Sequence, residues 1–280
     1  MAILKYEFVR NALLAGALAS ISCGIIGSLV VSKRIVSICG GIAHASFGGV
    51  GLGYLLRMNP TWGALLFGVL TSLGIGTITK KSKHPEDTSI AILWAVGMSL
   101  GIIFIGLSRG YAPDLFTYLF GNILAVSRSD LISLLILDIV IGVGIFLLYN
   151  EIVALCFDEE FVQVRGVPVF RLYLLLLVLV SLTVVVLMKV VGIILVIALL
   201  SLPAATSSKF AHTLRGMMIG AVILSMLFIG GGLIVSYVLD LPSGATIILF
   251  SVAAFLISGI VRKLVKSQVG LRTQSRDTAG

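Results

Sequence analysis

Charge is scarce in this chain. Lys and Arg number 20 and Asp and Glu 12, so charged residues fill 11% of 280 positions, against roughly 25% in a soluble domain. So few solvated side chains exclude an ordinary soluble enzyme, and a hydrophobic share of 59% excludes a disordered chain. Cysteine is scarcer still. Cys23, Cys39 and Cys156 make no CxxC pair, which excludes a disulfide scaffold and gives no sign of redox compartment. There is no HExxH, no Walker A phosphate loop and no serine nucleophile elbow. The formal charge of +8 comes from short basic clusters between apolar runs. That pattern is how a membrane protein displays positive charge on one side, and it points away from nucleic acid.

What the chain has is long apolar runs. A helix crosses the roughly 30 Å hydrocarbon core in about 20 apolar residues, and nine runs qualify: Ala12–Val31, Ile35–Leu56, Thr61–Thr79, Thr88–Leu107, Leu131–Tyr149, Leu172–Met188, Val190–Ser208, Met217–Leu239 and Ser243–Val261. Eight contain no Asp, Glu, Lys or Arg, and the fifth contains one, Asp138. A tenth run, Leu115–Val126, reaches only about 18 Å as a helix and reads as a re-entrant or surface segment. The expected fold is therefore all-α: a polytopic membrane bundle of about nine helices, eight to ten being possible. One transmembrane domain spans 1–266, followed by a polar, basic cytoplasmic tail over 267–280, with the chain after Val261 expected to be loose. The first run is too long for the apolar core of a cleavable signal and lacks a clear small-residue cleavage site. Placing Lys33–Arg34 and Lys80–Lys83 in the cytoplasm leaves 14 basic residues inside and 6 outside. The amino terminus is then outside and the carboxyl terminus inside.

Glycine is abundant, at 31 residues, and the second run is densest. Gly49 and Gly53 stand in GxxxG spacing there. Small residues let helix backbones approach closely in lipid, and the same helix is suited to line a pathway. Pro203, late in the seventh run, removes a backbone donor and bends its helix. Ionisable groups at mid-membrane are costly and invite a functional reading. His44 and Asp138 both fall near mid-depth. His44 is either a ligand for a borderline metal or a neutral imidazole bonded to a carbonyl. Asp138 is a hard metal ligand, a proton carrier, a partner for His44, or a carboxyl bonded to a Ser or Thr of another helix. Between the fifth and sixth spans, Phe157-Asp-Glu-Glu-Phe-Val-Gln-Val-Arg-Gly-Val-Pro168 reads as a short amphipathic helix. Asp158 caps it, Glu159 and Glu160 favour its start, Arg165 favours its end and Gly166 stops it. Phe157, Phe161 and Val164 share one face, which either lies on the membrane or docks a soluble partner.

Five segments, taken in order, resemble a known family. They are Gly41-Ile-Ala-His-Ala45 with Gly49, Glu86-Asp-Thr88, Tyr118-Leu-Phe-Gly-Asn-Ile-Leu-Ala-Val126, the loop from Phe157 to Gly166, and the run from Val191 to Thr206 that holds Pro203. The chain resembles the permease subunit of metal-ion ABC importers of the zinc, manganese and iron uptake type, over roughly Ala12 to Val261. The resemblance implies a prokaryotic plasma-membrane subunit that hydrolyses nothing itself. It implies a second permease copy, two copies of a cytosolic ATP-binding subunit and an external solute-binding protein. It implies no resident cofactor, the divalent ion being cargo. It also implies that the loop with Glu160, Phe161 and Gly166 docks on the ATPase. The family often has Ala where Val162 stands, and Glu86-Asp87-Thr88 reads either as a family acidic motif or as a helix cap. One departure matters more. The family usually places an Asp four residues before the His, and Gly40 stands there. Either His44 takes ligands from elsewhere, such as Asp138, or the cargo is a chelated metal. An ion-gradient-driven transporter or channel for a small cation is the alternative function.

Overall fold

The computed structural model describes residues 7–81, 86–108, 121–157 and 159–277. Asp158 and the first half of Leu115–Val126, residues 115–120, lie outside them. Among the described residues eleven α-helices follow in order: α1 Glu7–Lys33, α2 Val36–Leu55, α3 Pro60–Lys81, α4 Glu86–Leu107, α5 Arg128–Leu147, α6 Tyr149–Phe157, α7 Glu159–Val164, α8 Val169–Val191, α9 Ile193–Ser207, α10 Leu214–Leu239 and α11 Ser243–Asp277. No strand occurs among the described residues.

Helices α1, α2 and α8 form the centre, with most of their lengths buried. α4, α5 and α11 form the rim and present large apolar side chains outward, among them Leu107, Phe146 and Leu249. An outer face as apolar as the core is what a lipid solvent requires, since every surface residue then meets hydrocarbon. Buried hydroxyls return to their own helices, as in Ser20 to the Gly16 carbonyl at 2.6 Å and Thr183 to that of Leu179 at 2.7 Å. A hydroxyl bonded in this way needs no water, whereas those of Ser181 and Ser225 are buried without a hydrogen-bond partner.

Polar contacts sort the bundle into two ends. At one end Lys33 bonds the Leu155 carbonyl at 2.9 Å, Lys80 lies 4.2 Å from the Phe170 ring centre, and Lys209 bonds Ser258 at 3.0 Å. At the other, Arg128 pairs with Glu7 at 2.7 Å and Lys189 with Asp130 at 2.6 Å. Among the described residues nine helices run between these ends: α1, α2, α3, α4, α5, α8, α9, α10 and α11.

Eight of these helices are long and apolar enough to cross a bilayer; α9 has only 15 residues. The seventh run of the sequence is thus shorter as a helix than its apolar length suggests, about 22 Å. Gly192 is the cause. Its φ of 87° and ψ of 160° belong to a region open essentially to glycine alone, and it breaks one apolar stretch into α8 and α9. The break is covered by protein: a Cβ on Gly121 would lie 2.1 Å from the Val191 carbonyl carbon. The segment from Gly121 thus seats on the junction and continues into a short 3-10 turn, Ile123–Ala125, capped by Asn122. Irregular backbone is tolerated at depth only when protein buries it in this way. After Val261, α11 continues as a helix to Asp277. That stretch has no proline and one glycine, Gly270, so nothing in it stops a helix.

Close approach of α2 to its neighbours is testable. A Cβ on Gly49 would lie 2.0 Å from the Gly63 carbonyl oxygen of α3, whereas one on Gly230 meets nothing within 4 Å. Gly49→Ala should destabilise the chain by about 1–3 kcal/mol through overpacking, and Gly230→Ala should be neutral or up to about 1 kcal/mol stabilising. Thermal melting in detergent, followed by size-exclusion chromatography, distinguishes the two. An unshifted Gly49→Ala would contradict the packing.

Candidate metal-path site

Helix α2 is gripped on two sides. Toward α3, Gly49 backs onto Gly63 and Gly53 onto Pro60; toward α4, Cβ atoms on Gly48 and Gly51 would lie 2.8 Å and 2.4 Å from the Gly97 and Gly101 carbonyl oxygens. Gly41 faces Ile90, also on α4. What remains uncovered is a strip of Ser37, Gly40 and His44, spaced three and four apart, so they share one face. Helix α9 borders it: a Cβ on Gly40 would sit 3.7 Å from the Ile197 side chain. α9 leaves Ile194, Ile197, Ala198, Ser201 and Ala205 partly open at the same spacing, while Pro203 is buried.

His44 stacks on Trp94 of α4, with ring centres 4.2 Å apart and planes 7° from parallel. Its Nδ1 is buried and has no hydrogen-bond partner. A neutral imidazole with an uncommitted nitrogen offers a ligand lone pair to a borderline metal. The stack fixes the ring plane, as a hydrogen bond fixes the ring of a metal-ligating histidine. Trp94 is a residue that sequence reasoning missed. The available signal was an indole in the middle of a span rather than at its interfacial end, where tryptophan usually sits.

Asp138 faces a different neighbour. Its Oδ1 accepts from the Ser22 hydroxyl of α1, and its Oδ2 is buried without a partner. The contacts therefore seat His44 on α4 and Asp138 on α1 and do not bring the two together. Among the described residues, no group of three His, Cys, Asp or Glu is placed to hold a metal ion.

The elbow between α5 and α8 consists of α6, α7 and a turn. Gly166 takes φ 75°, and its N–H donates to the Gln163 carbonyl at 3.0 Å. Glu159 pairs with Lys33, Val162 is buried, and Glu160 is exposed. Phe157 and Val164 stand 70% and 87% exposed, an apolar tip with no cover from this chain. The Phe161 side chain lies outside the described residues.

A family model described as ABC 3 transport family matches residues 5–262. The chain belongs to that family. Among family relatives, an uncharacterized membrane protein of Synechocystis is 46% identical over 260 residues, covering 93% of this chain and 92% of its own. The manganese transport system membrane protein MntC of Listeria monocytogenes is 34% identical and covers 91% of each chain. Among solved structures, PsaBC from Streptococcus pneumoniae in complex with Fab superposes with a TM-score of 0.82 at 32% identity, covering 91% of this chain and 92% of that one. This is a multi-pass membrane subunit of an ABC transport system, and a transport subunit rather than an enzyme.

The strip predicts how this family member responds to the acidic residue it lacks. Gly40 has room for a side chain, and Gly41 does not, since its Cβ would lie 2.6 Å from Ile90. Gly40→Asp places a carboxylate one turn from His44 and should tighten divalent-metal binding by the purified chain about tenfold or more. Gly41→Asp should fail to fold. Isothermal titration with Mn2+ reads the first, and equal affinity in wild type and Gly40→Asp would remove the strip as a metal face.

Proposed function

We propose that the chain is the membrane-spanning subunit of an ATP-driven importer for a divalent transition metal, with manganese the favoured ion over zinc and iron. The observation that carries this reading is the near full-length match to relatives named for manganese transport. The geometry supports it through an open strip on α2, at mid-helix, bearing one imidazole with a free nitrogen. An external binding protein delivers the ion to the Lys189 end. His44 takes it as a transient ligand; a single weak contact suits an ion that must leave again. A second copy of the permease faces the strip, and two cytosolic ATPase subunits each grasp an elbow through Glu160, Phe161 and the apolar tip beside Gly166. The Lys33 end is cytoplasmic in the prokaryotic plasma membrane, because the basic clusters of the short loops gather there. The amino terminus is then outside and the carboxyl terminus inside. Asp138, tied to Ser22, lies beside the path and does not contribute the second ligand in the state described.

Uptake of radioactive manganese into vesicles that hold the whole complex tests the reading. His44→Ala should lower uptake at limiting metal about tenfold or more, while the complex still assembles. Undiminished uptake would take His44 out of the path. Uptake that survives ATP depletion under a clamped proton gradient would favour the gradient-driven alternative. Phe161→Asp should lose the ATPase subunit during purification, and its retention would place docking elsewhere.

A further inference from the structure

Lys33 is a cation that the transport reading leaves unused. It is the last residue of α1, and its side chain is only 14% exposed. The ammonium donates to the Leu155 carbonyl, in the last turn of α6, and to the Glu159 carboxylate, in the first turn of α7. Both acceptors suit their helix ends: a cation belongs at a helix carboxyl end and a carboxylate at an amino end. The Lys33 ammonium is sheltered while the Glu159 carboxylate is 55% exposed, so the part-buried bond to the Leu155 carbonyl fixes the ammonium and holds its geometry better than a surface pair would.

The rest of the elbow is less firmly seated. α7 packs on its chain neighbours α6 and α8. A cavity of about 330 Å³ separates Lys33 and Glu159 from Gly76, Thr79 and Lys80 of α3, so α7 is not packed solidly against that helix. Behind Lys33 there is no slack. Arg34, at φ 63°, and the buried Ile35 turn the chain in two residues, with the Ile35 N–H bonded to the Val30 carbonyl at 3.0 Å. α2 then starts at Val36 and reaches His44 about 12 Å on.

We propose that Lys33 is the positioning residue that passes displacement of the elbow to the α1–α2 corner, and so sets whether the strip with Ser37, Gly40 and His44 opens to one side of the membrane or the other. This rests on the reading that α7 docks the ATPase. When α7 moves, Glu159 draws Lys33, and the tight corner carries α2 with it. The ion pair is therefore a strut between motor and path, not a surface decoration.

The test uses the assembled complex of permease, ATPase subunit and binding protein in proteoliposomes. Manganese uptake and ATP hydrolysis are measured in the same vesicles. Lys33→Gln keeps an N–H donor for the Leu155 carbonyl and drops the charge that Glu159 needs. It should retain the ATPase subunit and continue to hydrolyse ATP, with ions moved per ATP down about fivefold or more. Lys33→Arg should keep most of the ratio. Lys33→Glu should lose it, and the exchange Lys33→Glu with Glu159→Lys should regain part of it. An unchanged ratio in Lys33→Gln overturns the proposal, as does an exchange pair no better than Lys33→Glu alone. If Lys33→Gln fails to assemble, the comparison of the exchange pair with each single charge reversal decides. Failure of the docking reading shows separately, as retention of the ATPase subunit by Phe161→Asp.

Discussion

The close approach of α2 to α3 and α4 is the constraint on which the other features depend. Lipid tails are as apolar as the helices they surround, so little hydrophobic drive holds helices together, and backbone proximity has to supply the attraction. Glycines meet glycines on both sides: Gly49 against Gly63, and Gly48 and Gly51 against Gly97 and Gly101. Main-chain carbonyls then lie near the α-carbons opposite, where weak C–H···O contacts add to dispersion. The result is a three-helix unit whose middle member has one free face. That face holds Ser37, Gly40 and His44, and the same grip on α4 brings Trp94 over the imidazole. Packing and site are thus one arrangement.

A second constraint is backbone satisfaction in hydrocarbon. The short α9 completes its pass because the Gly192 junction is covered by the chain from Gly121, so its irregular amides are not exposed to lipid. Burying Pro203 meets the same need inside α9. The outcome is a helix long enough to join the two ends, and short enough to leave a strip of small and β-branched side chains beside the face of α2.

Much of this is legible in the residues. Nine apolar runs correspond to nine passes, because a run of that length has little alternative to a helix in lipid. The short elbow helix ends near Gly166 because only glycine takes its positive φ readily. What is not legible comes from pairing between distant segments. Nothing in the pattern tells that Asp138 meets Ser22, 116 residues away, or that His44 faces Trp94, because helices without amphipathic contrast give no azimuth. Likewise, the break at Gly192 is invisible among 31 glycines; only its φ in the fold separates it from glycines that merely pack. Lys33 reads as one more basic residue in a loop cluster until its acceptors on α6 and α7 are known.

The absence of a carboxylate at Gly40 bears on how such a path works. Two ligands one turn apart would hold a divalent ion more firmly than one, and a firmly held ion leaves slowly. With Asp138 committed to Ser22, the strip offers His44 alone, braced by a flat indole and flanked by glycine, serine and aliphatic groups. On the proposed reading such a face holds an ion weakly, and the directionality of transport does not come from affinity there. In the proposed mechanism it comes from which end of the strip is open, set by the helix corner at Arg34–Ile35.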